Sequence, residues 1–182
     1  MTTAPTTVST WAIDPTHSTA EFAVKHMMIS TVKGSFGSLT GTLSIDEANP
    51  TNSAVTATID VASLDTHEPQ RDAHLRSDDF FNAEQFPQIT FRSTRVERSS
   101  DEEWRIAGDL TIRDVTRAVT LEVEFEGQIT DPYGKQRAGF TAETTISRKE
   151  FGLKWNALLE TGGAIVGDKV KVTLHIEIVR QD

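Results

Sequence analysis

The stretch "VKVTLHIEIV" (170–179) alternates without a break. Val170, Val172, Leu174, Ile176 and Ile178 fall on one side, and Lys171, Thr173, His175 and Glu177 on the other. A period of two belongs to a β-strand with one buried and one solvated face. "TLEVEFEG" (120–127) repeats the pattern, with Leu121, Val123 and Phe125 set against Glu122, Glu124 and Glu126. Six further stretches follow it. "AEFAVKH" (20–26) groups Phe22, Val24 and His26, and "FGSLTGTLSI" (36–45) groups Leu39, Gly41, Leu43 and Ile45. "AVTATIDV" (54–61) groups Val55, Ala57, Ile59 and Val61, and "QITFRS" (88–93) groups Ile89 and Phe91. "WRIAGDLTI" (104–112) groups Trp104, Ile106, Gly108, Leu110 and Ile112, and "GFTAETTIS" (139–147) groups Phe140, Ala142, Thr144 and Ile146.

Between these stretches lie short, polar, turn-rich links: "ANPTN" (48–52), "RSSDEE" (98–103), "RDVTR" (113–117) and "DPYGKQ" (131–136). Links this short join antiparallel neighbours, because a parallel pair needs a long crossover. Eight antiparallel strands in meander order present edges that closure into a barrel removes. The expectation is therefore an all-β, eight-stranded, up-and-down antiparallel barrel with one or two short helices. A two-sheet sandwich is the competing architecture. A length of 182 residues fits a single domain. Residues 1–10 read as a disordered Thr-rich tail, and residues 11–182 as the barrel domain.

Two stretches depart from alternation. In "DTHEPQRDAHLRSDDFF" (65–81), Asp65 or Thr66 can cap a helix with Pro69 in its first turn. Leu75, Phe80 and Phe81 would tuck against the barrel, and Asp72 and Arg76 would pair at the surface. In "FGLKWNALLETGGAIVGD" (151–168), Trp155 to Thr161 can form a short helix ended by Gly162 and Gly163.

Composition narrows the function. A formal charge of −9 disfavours nucleic acid as a partner. The absence of cysteine removes thiol chemistry, disulfides and Cys-ligated metals. No run of about 18 apolar residues is present, so no membrane span is expected. The first residues carry neither a basic start nor an apolar run, which points to a cytoplasmic protein. His67 and His74 lie two helical turns apart, too far to converge on one zinc, so no metal is expected. Asp14, His17 and Ser18 contain the residue types of a hydrolytic triad. No serine sits in a nucleophile elbow, however, and a local role is expected: Asp14–Pro15 as a turn, His17 bonded to backbone. The glycine loops at 34–37 and 162–167 lack a phosphate-loop pattern.

What remains is an apolar interior. A barrel of eight strands is either filled by side chains or just wide enough for one ligand. The small inward residues Gly41, Ala57, Gly108, Ala142 and Thr144 are compatible with a pocket or with strain relief at barrel corners. The expected lining is Phe22, Val24, His26, Leu39, Leu43, Val55, Ala57, Ile59, Ile89, Phe91, Ile106, Gly108, Leu110, Leu121, Val123, Phe125, Phe140, Ala142 and Ile146, with Trp155 near the mouth. Such walls suit a long apolar molecule rather than a sugar or nucleotide. His26, Arg148 or Trp155 would meet a polar headgroup. No catalytic residue and no cofactor beyond a bound lipid is expected. An enzyme using the same pocket and an interaction or stress module with a filled core are the alternatives. Alternation of acidic outer residues with Thr and Val allows a homodimer.

Five blocks in order also carry a family resemblance: "WAIDPTHSTAEFAVKHMMISTVKGSFG" (11–37), "RDAHLRSDDFFNAEQFPQITFRS" (71–93), "GDLTIRDVTRAVTLEVEF" (108–125), "RAGFTAETTISRKEFGL" (137–153) and "VGDKVKVTLHIEI" (166–178). The chain resembles the YceI-like family of lipocalin-like, polyisoprenoid-binding proteins. His74, Leu75, Phe80, Phe81 and Pro87 match its most specific block. The resemblance implies an extended eight-stranded barrel holding a long isoprenoid, an isoprenoid quinone or a similar amphiphile for storage, shielding or transport. It also implies that residues 65–81 are a helical connection beside the barrel. Many members look secreted to the periplasm, and the N-terminus here departs from them.

Overall fold

The computed structural model describes residues 7–157 and 165–182. Among them the chain runs through β1 (Val8–Ile13), β2 (Thr19–His26), β3 (Ser30–Phe36), β4 (Leu39–Asp46), β5 (Ala54–Asp60), β6 (Leu64–Asp65), helix α1 (Pro69–Arg76), β7 (Gln88–Arg98), β8 (Glu103–Ile112), β9 (Val115–Thr130), β10 (Gln136–Ser147) and β11 (Val166–Arg180). These pieces make eight wall strands, because three lines of the wall are broken. β1 and β2 are one line interrupted by the 3₁₀ turn Pro15–His17, and both pair antiparallel with β11. β3 and β4 break at Gly37 and Ser38, while β5 and β6 break at the 3₁₀ turn Val61–Ser63.

Each line pairs with its sequence neighbour, and β11 returns to β1, so the sheet closes. The architecture is the expected closed eight-strand antiparallel barrel in meander order, with one short α-helix. Closure satisfies the backbone of both outer lines and leaves the amphipathic strands one consistent inward face.

Two expectations are corrected. Val8–Thr10, placed in a disordered tail, form the start of β1 and pair with Asp46–Ser44. Ser9 is buried there and accepts a hydrogen bond from Trp11 Nε1 at 2.8 Å, which anchors the strand. Residues 1–6 lie outside the described residues. Trp155–Ala157 are not helical. The rest of the expected helix, with Gly162 and Gly163, falls outside the described residues.

Helix α1 is capped by neither Asp65 nor Thr66. The Glu68 carboxylate accepts from the amides of Gln70 and Arg71, and Pro69 takes the first helical position. Asp72 does not pair with Arg76. Its buried carboxylate accepts from the amide and hydroxyl of Thr66, while Arg76 donates to the Leu64 carbonyl. Both side chains thus fasten the helix to the chain entering it, where desolvated backbone groups offer a stronger bond than a surface ion pair. Phe80 is buried against the barrel, with Leu75 and Phe81 packed beside it, as expected.

Two apolar clusters fill the two ends. Trp11, Ile13, Leu39, Ala138 and Ile178 form one. The other contains Ala20, Phe36, Val61, Leu64, Phe80, Ile89, Ile112, Ile146, Phe151 and Leu153, beneath α1 and the β10–β11 connection. Ile59 touches both.

Candidate functional site

Residues paired directly across two strands share a face, so the register traces the interior wall. One row runs Leu39, Ile59, Ile89. The next runs Gly41, Ala57, Phe91, Leu110, and Leu43 faces Val55 beside it. Gly108 faces Val119, and Ile106 faces Leu121. Val123, Ala142, Leu174 and Ala20 form a row, as do Phe125, Phe140 and Ile176. Phe22 pairs with Val172 and Gly34, while Ile146 leads through Val170 to Val24 and Val32. His26 ends its line opposite Ser30 and Val166. All the strand residues expected to line the interior lie on this one face. Trp11, Ile13, Val119, Val172 and Leu174 lie on it too. The last two carry the same alternation as their neighbours. Trp11 and Ile13 occur in a short strand whose pattern Pro15 cuts off.

Burial divides this face. Leu39, Ile89, Gly108, Val123, Ala142 and Ile146 are buried. Phe22, Val24, His26, Leu43, Val55, Ala57, Ile59, Phe91, Ile106, Leu110, Leu121, Phe125 and Phe140 are only half-buried, although they face inward. Of these, Phe22, Ile59 and Leu110 pack against the larger apolar cluster, and Leu43, Ala57, Ile59, Phe125 and Phe140 against the smaller one; all of them keep some solvent-accessible area.

The inward glycines do not open a pocket. A Cβ on Gly108 would lie 2.6 Å from the Arg92 carbonyl oxygen and 2.7 Å from Phe91 Cε2. A Cβ on Gly41 would lie 2.9 Å from Ile13 Cδ1, and one on Gly34 would meet Thr66 Cγ2 at 2.7 Å and the Phe22 ring. These positions admit an aromatic ring or a neighbouring strand, so protein atoms and not a pocket occupy the gaps at Gly41 and Gly108.

The three residues considered for the mouth separate. Arg148 is 3% exposed, and its guanidinium donates to four carbonyls: Gly167 at 2.7 Å, Leu153 at 2.6 Å, Trp155 at 2.9 Å and Val166 at 3.1 Å. It ties the β10–β11 connection together and has no face left for a headgroup. Trp155 is half-buried and packs edge-on against His74, with ring centres 4.7 Å apart, and against Phe80 at 5.5 Å. His26 stands at the end of β2, half-buried.

Outside the interior, the His17 imidazole does not bond backbone. Its Nδ1 lies 2.8 Å from Asp14 Oδ2 and 3.2 Å from Glu177 Oε2. Arg137 Nη1 donates to the same two carboxylates at 2.9 and 3.0 Å, and its Nε donates to Asp131 at 2.7 Å. The His17 hydrogen bond holds the Asp14 carboxyl far below the usual carboxylate range, and the Asp14 bond raises His17. Asp14, His17 and Glu177 could reach one cation, yet Arg137 already supplies the positive charge between them. Ser18 Oγ accepts from the Glu177 amide at 3.0 Å and donates to the Glu177 carbonyl, so it is engaged by backbone and not by His17. The corner staples the break between β1 and β2 onto β11. His67 is exposed beside Asp65, and His74 bonds Asp79 at 2.9 Å, so the two do not converge.

The geometry defines a class: a closed up-and-down β-barrel with an apolar inner wall. Within that class the chain belongs to the YceI-like domain family, whose model matches residues 11–178. Protein YceI of Shigella flexneri is 45% identical over 138 residues, covering 76% of this chain and 72% of its own length. The crystal structure of Burkholderia cenocepacia BcnA superposes with a TM-score of 0.78 at 25% identity, over 91% of this chain and 98% of that one. A polyisoprenoid binding domain from Saccharophagus degradans shares the fold at a TM-score of 0.68 and 14% identity, over 94% of this chain and 98% of its own.

Proposed function

We propose that the barrel binds one long apolar chain, a polyisoprenoid, an isoprenoid quinone or a similar amphiphile, and holds it for storage, shielding or transport, without catalysis. The observation that carries this reading is the set of inward, half-buried apolar side chains that includes Phe91, Ile106, Leu121 and Phe22. The polyisoprenoid binding domain of the same fold supports it.

Burial alone supplies the affinity. Transfer of apolar surface from water contributes about 0.8 kcal/mol per methylene, so ten such groups give on the order of 8 kcal/mol before ordering costs. That suffices for roughly micromolar binding. Nondirectional contacts discriminate chain length better than chain chemistry, because length is set by the depth between the two end clusters. Native mass spectrometry of the purified protein tests the reading, since a retained ligand appears as a discrete added mass.

A further inference from the structure

The β2–β3 hairpin turns on Met27 and Met28, and both hold left-handed φ angles, 51° and 61°. The Ile29 amide closes the turn on the His26 carbonyl at 3.2 Å. Successive left-handed residues in a turn favour Asn and Gly, since a larger side chain is strained there. Met27 is partly covered and its amide bonds the Ile165 carbonyl, but Met28 and Ile29 gain little burial in return. Met27 is 39% exposed, Met28 65% and Ile29 86%. An apolar tip is therefore held in water against the local preference of the backbone.

The tip sits where the wall is least complete. Beyond β2, β3 pairs only with the two-residue β6, at Ser35 and Phe36, which leaves Ser30–Gly34 as an open sheet edge among the described residues. The inward row from Ile146 through Val170 and Val24 to Val32 ends on that edge.

Lysines gather toward the tip. Of the chain's lysines, only Lys135 lies at the far end of the barrel. Lys25, Lys33, Lys169 and Lys171 stand exposed on β2, β3 and β11, and Lys149 and Lys154 flank the end of β10. Among the described residues the one ion pair these lysines make is Lys171 with Glu143, at 4.0 Å. Of the neighbouring carboxylates, Asp168 is held by Ser147 and the Lys149 amide, and Glu21 faces His175; exposed Asp65 shares a groove with Lys33 and Lys171, and Glu150 is exposed.

We infer that this end of the barrel docks on an anionic lipid surface, with Met27, Met28 and Ile29 entering the apolar boundary and the lysines meeting the headgroup charge. Three apolar side chains are too small an area for a stable protein interface. An apolar wedge flanked by lysines is the combination that binds anionic bilayers. The net charge of −9 opposes approach at long range, and the lysines gathered toward the tip offset it at contact. The inference is independent of what the interior holds.

Co-sedimentation of the full chain with vesicles tests it, using equal parts phosphatidylglycerol and phosphatidylcholine, and phosphatidylcholine alone. The protein is expected to bind the anionic vesicles, to bind the neutral ones at least tenfold more weakly, and to release as salt is raised. Met28→Asp with Ile29→Asp should cut binding at least tenfold. Met27→Asn with Met28→Gly relieves the turn, so it should fold at least as stably as the parent and still lose binding. Absence of binding to anionic vesicles, or parental binding by both tip variants, overturns the inference.

Discussion

The ring of Phe91 lies over the backbone of Gly108 on the adjacent strand. A Cβ added to Gly108 would come within 2.7 Å of Phe91 Cε2 and 2.6 Å of the Arg92 carbonyl oxygen. Gly34 meets Phe22 in the same way, directly across the β2–β3 pair. Small residues in these strands let aromatic rings lie flat against the wall, and the rings then form part of the lining.

Gly108→Ala should accordingly destabilise the fold by about 1–3 kcal/mol through overpacking, since the Arg92 carbonyl cannot retreat without moving β7. Urea unfolding measures this. An unchanged midpoint would mean the ring and strand can give way.

Ile106 and Leu121 face each other on the inner wall and are half-buried. Ile106→Trp or Leu121→Trp should fill interior volume that the proposed ligand would take. Uptake of a long-chain isoprenoid quinone should fall roughly tenfold or more, a loss of about 1.4 kcal/mol or more. The thermal midpoint should change little. Ala142 is buried between Val123 and Leu174, so a tryptophan there would overpack instead. A tryptophan at Ile106 that unfolded the protein would show that the interior is packed solid.

Much of this architecture is legible in the sequence, for a physical reason. A strand that is wet on one side and dry on the other writes its orientation into every second residue, as β9 does from Leu121 to Phe125. The breaks are not written that way. Pro15 marks the turn between β1 and β2, but nothing in the alternation says that Val8–Ile13 resume the same line. Side chains that answer backbone carbonyls far along the chain also leave no periodic trace. Arg148 reads as a mouth residue and is instead buried among four carbonyls. Asp72 reads as half of a surface pair and is turned inward onto Thr66. The Gly108 pattern shows a missing side chain but not whether a ligand or Phe91 occupies the gap.

Arg148→Ala should remove the guanidinium donor from the carbonyls of Leu153, Trp155 and Gly167, and leave the Val166 carbonyl only its bond from Asn156 Nδ2. A loss on the order of 3 kcal/mol is expected, together with faster amide exchange around residues 165–167. Arg148→Lys should recover only part of this, because an ammonium cannot reproduce the planar fork. Equal stability of all three proteins would remove Arg148 from the structural role.

The Asp14–His17 corner predicts a pH dependence with two limbs. The Asp14 carboxyl is lowered on folding, chiefly by its bond to His17, so its contribution is present above its unfolded value of about 4 and lost as pH falls through the folded one. His17 is raised, chiefly by its bond to Asp14, so its contribution is complete below about 6.5 and lost as pH rises through the folded value. The thermal midpoint of the parent should exceed that of His17→Gln most between about pH 4 and 6.5, and the difference should shrink at higher pH. A difference that failed to shrink as the pH rose well above 6.5 would show that His17 acts there without its charge.

Native mass spectrometry of the freshly purified protein, followed by organic extraction of the same sample, tests the central claim most directly. A discrete added mass that extracts as a long-chain isoprenoid or other lipid is the predicted result. A clean mass of the bare chain that takes up no added isoprenoid quinone would contradict it and identify the barrel as a filled core.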